Sequence, residues 1–188
     1  MYIELSKDKE PYIKEISNDK VINLTGESGS GKSYFSRRYD SCEYIVIDTD
    51  EVFGRFDNSC GYNREFGEYL RKKYDNLPDI CNDFDTFYVE VLDYFSNSDK
   101  TLVIDSAQFR NIKNINLLKG KVIVIRTCVD TCYKRCIDRW INSHDNYSED
   151  ELNNYKNKKK GIFKWYLSIN KFIDSIIDSL DKRNSYYF

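Results

Sequence analysis

Val21-Ile-Asn-Leu-Thr25-Gly26-Glu27-Ser28-Gly29-Ser30-Gly31-Lys32-Ser33 is the stretch that decides the fold. Its last eight residues fit G-x-x-x-x-G-K-[ST] at every fixed position. The first five form a short β-rich run, and Tyr34, Phe35 and Arg38 open a helical pattern behind the motif. Glycine at 26, 29 and 31 permits backbone conformations that a Cβ would forbid, so successive N–H groups can turn inward as an anion nest. The helix that follows adds its positive N-terminal end. The pattern predicts a phosphate-binding loop, with Lys32 reaching the outer phosphates and the Ser33 hydroxyl ligating Mg²⁺.

Three further runs read as strands: Tyr44–Asp48, Thr101–Asp105 and Val122–Arg126. Each is apolar without alternation, as expected for strands buried on both faces of a parallel sheet. Helical spacing fills the gaps. Phe66, Tyr69, Leu70 and Tyr74 follow it before Pro78, and Phe84, Phe87, Tyr88, Val91, Leu92 and Phe95 follow it behind Asp83, a predicted N-cap. Cys132, Cys136 and Trp140 line one side of a helix starting near Asp130. Ile162 to Leu180 describe a long amphipathic helix. Alternating strands and helices mean right-handed βαβ units. The expectation is one α/β domain over residues 1–188, a parallel sheet of four or five strands with helices on both faces. Residues 1–20 would be an N-terminal extension, about 139–160 a helical lid, and 161–182 a C-terminal helix.

Composition narrows the function classes. The 188 residues carry 29 basic and 31 acidic side chains, well mixed, which argues against a dedicated duplex-binding face. Charges interrupt every hydrophobic run, so no membrane span is expected. The start of the chain lacks the basic and apolar segments of a secretory signal, so a soluble cytoplasmic protein is the default and the six Cys are expected to be reduced. Cys128, Cys132 and Cys136 recur every fourth residue, with His144 nearby, but this spacing matches no common zinc or iron–sulfur signature. Thiols packed under a helix are the expected reading.

Acids end two of the strands. Asp105 closes the third run, where an acid beside a phosphate loop contacts Mg²⁺, usually through water; the plainer alternative is an Asp that caps the strand end. Ser106 follows it where motor-type ATPases carry Glu, and no Asn-Lys-x-Asp guanine signature follows a late strand. Ile47-Asp48-Thr49-Asp50-Glu51 places two carboxylates two residues apart at the end of the second run. One could help hold Mg²⁺ while the other takes a proton from a substrate hydroxyl; the plainer alternative is that both cap the turn into the next helix. Arg55 and Arg64 lie beyond, as candidates for gripping an anionic substrate. Arg135 and Arg139 are four apart and share a helix face; Ser143 to Asp150 is a polar loop behind them, and Lys156, Lys158, Lys159 and Lys160 read as a solvated face. Such a helix–loop–helix suits a closing lid over triphosphate.

Together, Gly26–Ser33, Asp48-Thr49-Asp50, Asp105, Arg135 and Arg139 resemble the P-loop small-molecule kinases, which include the adenylate, shikimate, gluconate, adenylylsulfate and zeta-toxin kinases. The likeness covers most of residues 20–160. It implies a P-loop NTPase fold, ATP held by Gly26, Glu27, Ser28, Gly29, Ser30, Gly31, Lys32, Ser33 and Tyr34, and Mg²⁺ held by Ser33, Asp48 and Asp105. It also implies Asp50 as base or acceptor anchor, and Arg135 and Arg139 as lid residues acting with Lys32 on the transferring group. Two departures stand out. Asp105-Ser-Ala-Gln108 replaces the glycine triplet of the shikimate kinases, and a long helix leading to Asn184–Phe188 stands where a fifth strand usually follows the lid. The expected activity is phosphotransfer from ATP to a small hydroxyl- or phosphate-bearing molecule. A polynucleotide 5′-end kinase and an ATP-binding or hydrolysing regulatory protein are the alternatives, with nucleic acid the less favoured partner.

Overall fold

The computed structural model describes residues 2–4, 20–39, 42–54, 61–74, 80 and 83–163. Five strands make one sheet: β1 (Tyr2–Glu4), β2 (Val21–Gly26), β3 (Tyr44–Asp48), β4 (Thr101–Asp105) and β5 (Lys121–Arg126). They lie in the order β1-β5-β2-β4-β3, every pair parallel. All four runs read from the sequence are strands. The fifth comes from the other end of the chain: Tyr2, Ile3 and Glu4 pair with Val124, Ile125 and Arg126, giving β5 an outer partner. Residues 184–188 and the C-terminal helix expected beyond 163 lie outside the described residues.

Among the described residues the strands are accompanied by the α-helices α1 (Lys32–Ser36), α2 (Thr49–Val52), α3 (Gly61–Lys73) and α4 (Phe84–Tyr94), and β5 is followed by α5 (Val129–Asn142) and α6, over residues 149–163. One face of the sheet packs Ile45, Ile47, Leu102 and Ile104 against Phe66, Leu70, Phe84, Phe87 and Val91 of α3 and α4. On the other face Leu24, Ile123 and Ile125 meet Phe35 of α1. Burial of these side chains stabilises both layers by about 1.5–3 kcal/mol each. Residues of β3 alternate between buried and half-buried because it is an edge strand, in contrast to the unbroken burial expected of it.

Polar groups inside this core are paired. Asn23, fully buried in β2, donates to the Lys119 carbonyl at 2.6 Å and accepts the Tyr88 hydroxyl at 2.9 Å; the Lys119 N–H in turn donates to Tyr88 at 3.0 Å. Burial raises the Tyr88 hydroxyl to about 12, keeping it a donor. Glu90 accepts from Lys73, Tyr69 and Tyr74 at 2.6–2.8 Å, tying α4 to α3. Asp83 stands at the N-cap position of α4, but its carboxylate takes the Thr86 hydroxyl and Lys113 rather than an orphan N–H. Ser148 and Glu151 form a reciprocal capping box that starts α6.

The nest between β2 and α1, the parallel order and the acids at the ends of β3 and β4 make this a P-loop NTPase fold. Among the described residues, no helix is long and apolar enough to cross a membrane.

Candidate active site

Ligand sites of open α/β sheets lie beyond the carboxyl ends of the strands, and here the loop Gly26–Gly31 sits there. Gly29 and Gly31 adopt positive φ of 82° and 103°, and Gly31 leads directly into α1. A Cβ on Gly29 would stand 2.5 Å from the Cys132 carbonyl oxygen, and one on Gly26 would collide with the Ile125 carbonyl, so the loop is pressed onto α5 and β5. The Ser30 N–H donates to the Glu27 carbonyl at 3.1 Å, and Thr127 donates its hydroxyl to the Ser30 carbonyl at 2.8 Å. Lys32 folds back over the loop, with Nζ 3.1 Å from the Glu27 carbonyl.

A cavity of about 630 Å³ opens over this loop. Of the residues expected to hold ATP, Ser28 through Tyr34 line it; Gly26 and Glu27 do not, because both are buried at the base of the loop and contribute packing and a backbone acceptor. Asp48, Asp50 and Asp105 line its opposite side, and Arg135 and Arg139 project into it from α5. Arg135 donates to the Gly29 carbonyl at 3.0 Å, which links the helix after β5 to the loop.

The acids are placed by the sheet. Asp48 and Asp105 are register partners at the ends of β3 and β4. The Asp48 Oδ1 accepts the Asp50 N–H at 2.8 Å, capping α2, so the plainer reading of this acid as a cap is correct for one of its oxygens. Burial raises Asp48 to about 6, the Asp50 N–H opposes the rise, and the charges of Asp50 and Glu51 add to it. Asp105 is more deeply buried, and that burial, followed by repulsion from Asp48, raises it to about 7. Its Oδ2 is buried with no hydrogen-bond partner among the described residues.

An orphaned carboxylate oxygen, a half-buried carboxylate beside it and a serine hydroxyl lining the same cavity are hard oxygen donors, and this set fits a divalent cation. Mg²⁺ keeps several waters and needs only a few protein oxygens, so Ser33, Asp48 and Asp105 suffice. Among the described residues, no cluster of three or more His, Cys, Asp or Glu side chains offers an all-protein cage.

Other expectations fare differently. Arg64 is exposed on α3 and pairs with Glu68 at 3.2 Å, one helical turn on, instead of facing the cavity. Arg55 lies outside the described residues. Cys132 and Cys136 are buried thiols, as expected, with Cys132 raised to about 12, mainly by burial, while Cys128 is exposed before α5. Trp140 stacks between His144 and Tyr155, at centroid distances of 4.3 and 5.1 Å, and does not line the cavity.

Two residues escaped the sequence reading. Arg37, in the turn after α1, lines the cavity. Asn63 of α3 accepts the Asp48 N–H at 2.9 Å and donates to Glu51 Oε2 at 2.8 Å, pinning both ends of the acidic turn.

No protein-family model and no curated protein matches the chain. Among solved structures it is similar to a chain of the Pnkp1/Rnl/Hen1 RNA repair complex, with 16% identity and a TM-score of 0.41, over 78% of this chain and 45% of that one. The chain thus spans less than half the length of that neighbour. TT1252 from Thermus thermophilus is 17% identical with a TM-score of 0.39, over 77% of this chain and 83% of the other. Thymidylate kinase from Ehrlichia chaffeensis is 13% identical with a TM-score of 0.29, over 77% and 97%.

Proposed function

We propose that this chain is an ATP- and Mg²⁺-dependent phosphotransferase that moves the γ-phosphate to a small hydroxyl- or phosphate-bearing acceptor. The supporting observation is the meeting, in one cavity, of the Gly29–Ser33 nest, the paired acids Asp48 and Asp105, and Asp50. The nest and Lys32 bind the nucleotide's phosphates. Ser33, Asp48 and Asp105 hold Mg²⁺, which neutralises phosphate charge when bound. Asp50, in the first turn of α2, orients the acceptor hydroxyl and accepts its proton. Arg135 and Arg139 stabilise charge on the transferring group and exclude water from it.

Asp50 lines the cavity as well as opening α2, and a carboxylate facing the phosphate loop supports transfer over binding alone. The test incubates the protein with γ-labelled ATP and Mg²⁺ against separate pools of small metabolites and short oligonucleotides, with Lys32→Ala as control. Label entering a metabolite pool only with the unmodified protein is the expected result. Label entering only the oligonucleotides would move the assignment to 5′-end phosphorylation. Phosphate release that no pool alters would overturn phosphotransfer.

A further inference from the structure

Four cationic side chains line the cavity: Lys32, Arg37, Arg135 and Arg139. Lys32 and Arg135 donate to carbonyls of the phosphate loop. Arg37 and Arg139 are different: both are exposed on the cavity wall, and neither guanidinium makes a hydrogen bond or ion pair among the described residues. Arg139 already has a place in the proposed mechanism, beside Arg135 on the transferring group, which leaves Arg37. It follows Lys32 by five positions, so at 1.5–2.0 Å per residue its backbone stands about 7–10 Å beyond the start of α1. Tyr34, one turn earlier, also lines the cavity and is 70% exposed. Arg38 approaches that ring at 5.9 Å.

We propose that Arg37 anchors a second anion subsite in this cavity, one that takes the phosphate of a phosphate-monoester acceptor while the ring of Tyr34 packs against the ester's carbon skeleton. This rests on the phosphotransfer reading and names the acceptor's chemical class within it. A guanidinium presents a planar fork that matches two phosphate oxygens, and an unpaired one loses little by turning to them. The nucleotide's own phosphates are already served by the nest, Lys32 and the N-terminal end of α1. The ester's phosphate on Arg37 would leave its hydroxyl to reach Asp50, which faces the same space.

The full chain, preloaded with β,γ-imido-ATP and Mg²⁺, is titrated with inorganic phosphate and with glycerol 3-phosphate, followed by calorimetry and by the Arg37 Nε–Hε NMR signal. Both probes are expected to shift that signal and to saturate at one site per chain. Arg37→Ala should weaken both by about tenfold or more, the loss of one charge-assisted pair, and leave the affinity for β,γ-imido-ATP within about twofold. Tyr34→Ala should weaken glycerol 3-phosphate and spare inorganic phosphate. The subsite is overturned if the preloaded protein binds neither probe, or if Arg37→Ala weakens β,γ-imido-ATP as much as the probes. Should the unmodified chain not bind β,γ-imido-ATP at all, the phosphotransfer reading falls; the same titrations of the unloaded protein, unmodified against Arg37→Ala, then decide the subsite alone.

Discussion

Asp48 and Asp105 face each other across β3 and β4 as register partners, each the last residue of its strand. Asp105 is buried and Asp48 half-buried, and at adjacent strand ends the two carboxylates repel one another. That repulsion costs stability, and the cost suits the cation-holding role proposed for the pair.

That cost has a pH dependence. Both groups hold their protons more tightly folded than at the ordinary aspartate value of 3.8, Asp48 to about 6 and Asp105 to about 7. The folded chain therefore binds more protons than the unfolded one across that window, and metal-free stability falls as pH rises through it. Asp105→Asn should raise the melting temperature of the metal-free protein at pH 8 by several degrees and change it much less at pH 5. It should also abolish the stabilisation that added Mg²⁺ gives the unmodified protein. Equal destabilisation at both pH values would show Asp105 to be a structural group.

Asn63 holds the acidic turn by its two hydrogen bonds to Asp48 and Glu51. Removing it leaves the half-buried Asp48 N–H without its acceptor, a cost of about 1–3 kcal/mol. Asn63→Ala should lower thermal stability by that amount and weaken Mn²⁺ binding, measured by electron paramagnetic resonance, about tenfold through the loosened turn. Asn63→Asp keeps the acceptor but sets a charge against Glu51, and should not restore the metal affinity. Unchanged metal binding in Asn63→Ala would confine the residue to a structural role.

Tyr88 separates fold from site. Its hydroxyl bridges Asn23 and Lys119 in the core and does not line the cavity. Tyr88→Phe should cost about 1–3 kcal/mol in a denaturant titration, because the buried Asn23 oxygen loses its partner. Nucleotide affinity of the folded protein should stay unchanged.

The phosphate loop and the four core strands were legible because their signals are local. A glycine pattern and apolar runs need no knowledge of what lies across the sheet. The β1 strand is three residues long and is defined only by β5 beside it, so Tyr-Ile-Glu alone carries no strand signature. Asn63 was silent for the same reason: its role depends on α3 meeting the β3–α2 turn, fifteen positions away. Arg64, its neighbour, drew attention by type, yet α3 turns it outward to Glu68. Asn23 interrupts an otherwise apolar strand and would read as a fault there; only the fold supplies Tyr88 and Lys119 to satisfy it.

The most direct measurement compares Asp50→Ala with the unmodified protein for both nucleotide affinity and phosphate transfer, using the acceptor pool that takes the label. Removal of a general base costs about 10²–10⁴ in rate. The predicted result is β,γ-imido-ATP affinity within about twofold of the unmodified protein and transfer lowered by that factor. Transfer at the unmodified rate in Asp50→Ala would contradict the assignment of this carboxylate, and with it the phosphotransfer mechanism built on the cavity.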